Sequence, residues 1–132
     1  MLAGGGVRAG IGELLGMSLL EVDEGRIVFG LEPDARMTNP LGTVHGGIAA
    51  TLLDSAMSCA VHTTLAADES YTTLDLHVRY VRAARPDGGP LQVEGSVVHR
   101  GRRTATAEGR VTDAEGRLVA HGSVSCIVLA TP

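Results

Sequence analysis

The sequence predicts an α+β fold in which a curved antiparallel sheet packs around one long central helix. Residues 47–66 form the only long segment with helical periodicity, and Ala49, Ala56 and Ala60 within it are small enough for close packing against a sheet. Two short apolar runs come before this segment. After it, apolar and polar residues alternate with a period of two, which is the pattern of half-buried strands.

Each predicted element has its own local signal, either an apolar period or a cluster of turn residues between two periods. Before the helix we expect a short helix at 11–15 and two strands at 17–22 and 26–32, joined at Asp23-Glu24-Gly25. After it, Leu74, Leu76, Val78 and Tyr80 are expected on one face of a strand, with Thr73 and the other polar residues that alternate with them on the opposite face. The remaining strands are expected at 91–98, 104–112 and 118–129, separated by glycine-containing turns.

Composition is that of one compact domain. The chain has 132 residues, of which 44% are hydrophobic, and we expect a loose segment at 1–10 followed by a single domain at 11–132. The net charge of −4 disfavours a nucleic-acid partner.

Cys59 and Cys126 form no metal-like cluster with histidines, so we expect buried thiols and no metal site. Without a long apolar span or a signal-type leader, the expectation is a cytoplasmic protein with no membrane partner.

The segment Asn39-Pro40-Leu41-Gly42-Thr43-Val44-His45-Gly46-Gly47 and the carboxylate of Asp54 are the candidate site. Glycines after His45 permit a tight turn and bring bare N–H groups to the positive end of a helix, where they would attract negative charge that develops on a carbonyl oxygen. Asp is a poor residue inside a helix and is costly to bury unpaired, so Asp54 suggests a base or a nucleophile. A simple turn and an Asp paired with a distant cation remain the alternatives.

This pattern resembles the hotdog-fold acyl-CoA thioesterases, in particular their phenylacetate-pathway (PaaI-like) branch. The resemblance implies a hotdog domain that hydrolyses aryl-acetyl or medium-chain acyl-CoA to free acid and CoA, with no cofactor because CoA is part of the substrate. The alternative is a non-catalytic hotdog module that binds acyl-CoA as a sensor.

The resemblance also implies roles for individual residues. Asp54 would act as nucleophile or general base, Gly46 would supply the oxyanion contact, and Asn39 would position water or the thioester. His45 would cap or orient the loop, and Thr73 would help to position water, with Thr72 as its competitor. Arg82, Arg102 and Arg103 would bind the nucleotide phosphates of CoA, for which the planar guanidinium is well suited.

Helix geometry adds an expectation about assembly. Eight residues separate Gly46 from Asp54, and at about 1.5 Å of rise per residue they lie roughly 12 Å apart along the axis. One side chain cannot span that distance, so two residues that act on one thioester must come from two copies of the chain. We therefore expect a homodimer, and the resemblance implies that two dimers pair into a tetramer.

Overall fold

The computed structural model describes residues 10–131, so the segment expected to be loose lies almost entirely outside the described residues. The elements follow the predicted order of a short helix, two strands, the long helix and four strands. They are α1 (Ile11–Leu15), β1 (Ser18–Asp23), β2 (Arg26–Leu31), a 3₁₀ turn (Ala35–Met37), α2 (Gly46–His62), β3 (Glu69–Tyr80), β4 (Leu91–Arg100), β5 (Thr104–Thr112) and β6 (Leu118–Ala130).

The strands form one six-stranded sheet in the order β1-β2-β4-β5-β6-β3, and every neighbouring pair is antiparallel. Helix α2 packs against β2, β3, β4, β5 and β6. Strand β3 follows α2 in the chain but crosses to the far edge of the sheet, where only β6 pairs with it. The predicted arrangement of a sheet around one helix is confirmed, and it leaves a 12-residue strand at an edge.

Close contact between α2 and the sheet depends on small residues on both sides. Ala56 and Ala60 are fully buried, as their size predicted. Gly95 on β4 faces the helix so closely that an added Cβ would lie 2.5 Å from the carbonyl carbon of Ala56. Its register partner Gly109 on β5 lies in similarly tight contact with Met57. These glycines allow the helix axis to approach the sheet.

Helix α2 ends at His62, four residues before the predicted end at residue 66. The hydroxyl of Thr63 donates to the carbonyl of Ala60 at 2.6 Å, and the hydroxyl of Thr64 donates to that of Val61 at 2.7 Å. Thr63 also accepts a hydrogen bond from the backbone N–H of Gly25 at 2.6 Å, which ties the helix end to the β1–β2 turn. These side-chain bonds satisfy the last carbonyls, and the chain then turns towards β3.

Strand β3 departs from simple alternation at Leu74. Its register with β6 pairs Thr73 with Cys126 and then Asp75 with Ser125, so Leu74 is the extra residue of a β-bulge. The prediction placed Thr73 on the face opposite Leu76, and this is wrong. Because of the bulge, both residues lie on the face that packs against α2.

Candidate active site

The loop before α2 is shaped by the side chain of Asn39. Its Oδ1 accepts hydrogen bonds from the backbone N–H groups of Leu41 at 3.0 Å and Thr43 at 3.2 Å, and its Nδ2 donates to the hydroxyl of Thr43 at 2.9 Å. An Asn that bonds to N–H groups two and four residues later holds a tight turn. In this chain the predicted site residue Asn39 therefore holds the conformation of the loop that leads into the helix.

His45 is the N-cap of α2. Its Nδ1 accepts a hydrogen bond from the N–H of Gly47 at 2.8 Å, and a Cβ on Gly47 would lie 3.0 Å from that nitrogen. The structure thus gives His45 the capping position that the sequence suggested. Gly47 is needed because the imidazole lies against its Cα.

Gly46 is the first residue of α2, and within residues 10–131 its N–H has no hydrogen-bond partner. The first N–H groups of a helix carry its partial positive charge. Because the His45 side chain occupies the N–H of Gly47, the Gly46 N–H is the free donor at this helix end. The structure is therefore compatible with the predicted oxyanion contact.

Tyr80, at the end of β3, is a neighbour of this helix end that the sequence reasoning missed. Its hydroxyl donates to the carbonyl of Gly46 at 2.7 Å. A Cβ on Gly46 would lie 3.1 Å from the tyrosine ring, which explains a glycine at that position. Tyr80 is the last apolar residue in the alternation of β3, and its place at the strand end was the available signal. Together with Asn39, His45 and Arg82 it lines a depression of about 340 Å³.

Asp54 lies two turns further along α2 and is half-buried. Its Oδ1 lies 3.0 Å from the hydroxyl of Ser58 and 3.3 Å from that of Thr73, and these two hydroxyls are 3.2 Å apart. The bulge at Leu74 places Thr73 in this cluster, whereas Thr72 has no hydrogen bond to Asp54. Ser58 is 8% exposed and completes the cluster from the next helical turn. Three contacts share only two hydroxyl protons, so Asp54 accepts at most two hydrogen bonds from them.

The Asp54 carboxylate has no ion-pair partner in the part of the chain that the structure describes. Within residues 10–131 of one chain, this excludes the alternative in which Asp54 pairs with a distant cation. Its Oδ2 makes no hydrogen bond to any residue from 10 to 131 and is open to a water or a substrate.

Asp54 lines a second depression, with a volume of about 460 Å³, and other titratable groups border it. Burial, reinforced by the nearby Asp54 charge, raises the pKa of the Cys59 thiol to about 11. Burial also raises the pKa of Tyr71 to about 12, with smaller contributions from Cys59, Cys126 and Asp54. Burial lowers the pKa of His62, whose ring packs edge-on against Tyr71 at 5.3 Å between centroids. The thiol and the phenol are thus neutral near pH 7.

One chain does not bring the two halves of the predicted site together. The depression beside Gly46 and the depression beside Asp54 have no lining residue in common. We call the first, with Asn39, His45, Gly46 and Tyr80, the amide half-site. The second, with Asp54, Ser58 and Thr73, is the carboxylate half-site.

The predicted phosphate-binding arginines are also separated in one chain. The backbone N–H of Arg82 donates to the carbonyl of Val119, whereas the carbonyl of Arg103 accepts from Val128. These two β6 positions are nine residues apart, which is roughly 30 Å along a strand. Arg82 borders the amide half-site, beside the N-terminus of α2. Arg102 and Arg103 lie at the β4–β5 hairpin, on the side of the C-terminus of α2.

Between residues 10 and 131 no three His, Cys, Asp or Glu side chains are grouped so as to hold a metal ion. No helix in this range has the length and apolar character needed to cross a membrane.

A six-stranded antiparallel sheet packed around one long helix is the hotdog fold. The sequence model of the Thioesterase superfamily matches residues 41–120, more than half of the chain. The chain belongs to this superfamily and is a thioester hydrolase of the acyl-CoA type.

Individual relatives agree with this assignment. The chain is 26% identical to 1,4-dihydroxy-2-naphthoyl-CoA hydrolase of Listeria monocytogenes over 83% of its own length and 88% of the relative. It is 26% identical to human acyl-coenzyme A thioesterase 13 over 80% of its own length and 75% of the relative. The PaaI protein of E. coli superposes with a TM-score of 0.84 at 21% identity, covering 91% of this chain and 84% of that one, and so supports the fold.

Proposed function

We propose that this protein hydrolyses aryl-acetyl or medium-chain acyl-CoA thioesters to the free acid and CoA, with Asp54 as the catalytic carboxylate. One observation carries the proposal. Asp54 is half-buried and unpaired with any cation of residues 10–131, and only the hydroxyls of Ser58 and Thr73 contact its Oδ1. Such a carboxylate keeps its second oxygen free for chemistry. CoA is part of the substrate, and no separate cofactor enters the reaction.

The active unit in this proposal is a homodimer. Strand β3 offers an open edge of 12 residues, and Leu76 and Tyr80 on its helix-side face are 36% and 57% exposed. A long edge strand with exposed apolar residues is a surface that a second strand can cover. Pairing β3 with β3 of a second copy would place the two α2 helices antiparallel. The amide half-site of one copy would then face the carboxylate half-site of the other. Two such dimers would pair into a tetramer, as the sequence resemblance implies.

In the shared site the Gly46 N–H would stabilise the negative charge that develops on the thioester oxygen. If Asp54 acts as a general base, it removes a proton from water, and the hydroxide adds to the carbonyl carbon. If Asp54 acts as a nucleophile, it forms a mixed anhydride that water then hydrolyses. In both routes the C–S bond breaks, and the CoA sulfur leaves with the bonding electrons and takes up a proton.

The surrounding residues hold this geometry. Asn39 fixes the loop, His45 caps the helix, and Tyr80 donates to the Gly46 carbonyl and lies close to its Cα. Ser58 and Thr73 orient the carboxylate of Asp54. Arg82 of one copy would approach the β4–β5 hairpin of the other, so that Arg82, Arg102 and Arg103 together bind the nucleotide phosphates of CoA.

Hydrolysis of a panel of acyl-CoA esters by the wild-type protein and by Asp54→Asn tests the proposal. Asn preserves size and can still accept from Ser58 and Thr73, but it cannot take up a proton or form an anhydride. We expect kcat for the best substrate to fall at least about a hundredfold. The matched control is Asp68→Asn, which removes an exposed carboxylate outside the site and should keep wild-type kcat. Near wild-type hydrolysis by folded Asp54→Asn would show that Asp54 is not catalytic.

A further inference from the structure

A groove crosses the face of the sheet that points away from α2. It has a volume of about 520 Å³ and runs over the ends of β3, β6 and β5. Gly109 and Gly122, which are register partners, form its floor. Two rows of side chains form its rims. They point outward because successive side chains of a strand point to opposite faces, and their chain neighbours Ala120 and Val111 are fully buried towards the helix.

One rim is a cationic row. Arg79 pairs in register with His121, and His121 pairs with Arg110. Directly opposed residues on neighbouring strands have Cβ atoms about 5 Å apart, so the two arginines flank the imidazole at close range. The opposite rim is His77, Ser123 and Glu108.

The two arginines of the cationic row have no ion-pair partner among residues 10–131, although Glu94 on β4 lies opposite Arg110 in register. Neither Arg79 nor Arg110 forms an ion pair or a side-chain hydrogen bond with any residue between 10 and 131. Arg26, on the same sheet, instead contacts Glu94 at 2.5 Å and both Glu21 and Asp23 at 3.0 Å. Arg79 and Arg110 lie on the two strands that flank β6, so their Cβ atoms are roughly 10 Å apart on one face of the sheet. Their long side chains can both reach an anion placed between them above His121.

We propose that this groove is a binding site for a phosphate-bearing ligand, held between the guanidinium groups of Arg79 and Arg110 over His121. Two planar guanidinium groups can each donate paired, charge-assisted hydrogen bonds to a phosphate. The Ser123 hydroxyl can donate from the other rim. Glu108 repels an anion, so the phosphate is placed at the cationic row and an uncharged part of the ligand lies towards Glu108.

This site is separate from both half-sites. The groove lies on the outer face of the sheet, whereas Gly46 and Asp54 belong to the helix that packs on the inner face. The proposal therefore does not depend on the role given to Asp54. The phosphate can come from CoA itself or from a free phosphorylated ligand, and the experiment distinguishes these two sources.

Thermal unfolding with inorganic phosphate as the probe tests the site, with sodium chloride at matched ionic strength as the reference. A ligand that binds only the folded state raises Tm by mass action, by roughly 4 °C at ten times its Kd for a chain of this size. We expect a saturable rise for the wild type and loss of most of that rise in Arg79→Gln/Arg110→Gln. Arg36→Gln, which removes an exposed arginine that pairs with Asp34 away from the groove, should keep the full rise.

General salting-out by phosphate would raise Tm equally in all variants. An equal rise in the double variant, or no saturable rise in the wild type, would overturn the proposal. If the double variant does not fold, the ring resonances of His121 in the wild type provide the second measurement. They should shift saturably with phosphate, and unchanged resonances would also overturn the site.

Kinetics of the double variant then identify the source of the phosphate. A KM that rises for acyl-CoA but not for acyl-pantetheine would mean that the groove holds a phosphate of CoA. An unchanged KM for both substrates, together with the lost Tm rise, would mean that it holds a free phosphorylated ligand.

Discussion

Two inactive variants of this protein should restore each other's activity if the site is shared between two copies. The first variant is Asp54→Asn, which disables the carboxylate half-site. The second is Gly46→Pro, which deletes the N–H of the amide half-site. Proline is favoured at the first position of a helix. His45 has φ −58° and ψ 136°, a conformation that is compatible with a following proline. Loss of one oxyanion donor should reduce kcat about 100-fold to 1000-fold.

The expected recovery follows from counting sites. Equal amounts of the two variants, fully exchanged, give hybrid dimers as half of all dimers. Each hybrid has one site with both changes and one site with neither. Half of the dimers therefore have one intact site out of two. A quarter of all sites are intact, so the mixture should reach about a quarter of wild-type activity.

The assay measures CoA release with a thiol reagent after mixing, while native mass spectrometry follows subunit exchange. Gly46→Ala is the matched control, because its Cβ meets the Tyr80 ring at the same 3.1 Å but its N–H is retained. Both variants carry the cost of the contact with Tyr80, so the higher kcat expected for Gly46→Ala measures the contribution of the N–H. If the exchanged mixture stays at the mean of its two inactive parents, the site is not shared, and the inference from the helix arithmetic is refuted.

Three further predictions concern the core, a thiol and the substrate arginines. Gly95→Ala should lower the free energy of unfolding by about 3 kcal/mol, because its Cβ would overlap the α2 backbone. Gly12→Ala, which lies in α1 with open space around its Cβ, should not lower it, since Ala favours the helix. Urea denaturation measures both, and equal losses would contradict the close contact at Gly95. Cys59 should react with iodoacetamide at pH 8 about a hundredfold more slowly than an unperturbed thiol, since its raised pKa of about 11 keeps it protonated; mass spectrometry measures the rate, and rapid labelling would contradict this. Neutralising Arg102 and Arg103 should raise KM for acyl-CoA and leave kcat unchanged. An equal rise in KM for acyl-pantetheine, which lacks the nucleotide phosphates, would mean that these arginines act in folding and not in phosphate binding.

Much of the fold follows from local patterns in the sequence. For residues 10–131, apolar periods and turn residues predicted both α-helices and the six strands in their places along the chain, with errors of up to about five residues at the ends. The 3₁₀ turn at Ala35–Met37 was not predicted. The His45-Gly46-Gly47 turn and Asp54 were recognisable because each breaks a local rule: two adjacent glycines at a helix start, and a charge inside an apolar helix. Such signals act over a few residues and need no knowledge of the pairing partner.

The arrangement of the site depended on tertiary structure. Thr73 joins Asp54 only because a bulge at Leu74 turns it towards α2, and that bulge exists only in the pairing of β3 with β6. Tyr80 reaches Gly46 because β3 crosses to the sheet edge beside the helix start.

The groove on the outer face likewise joins residues of three strands that are far apart in sequence. Alternation of apolar and polar residues indicates which face of the sheet a residue occupies. It does not indicate which residue lies beside it on the next strand. That neighbour is set by register, and register is decided by packing of the whole sheet against α2.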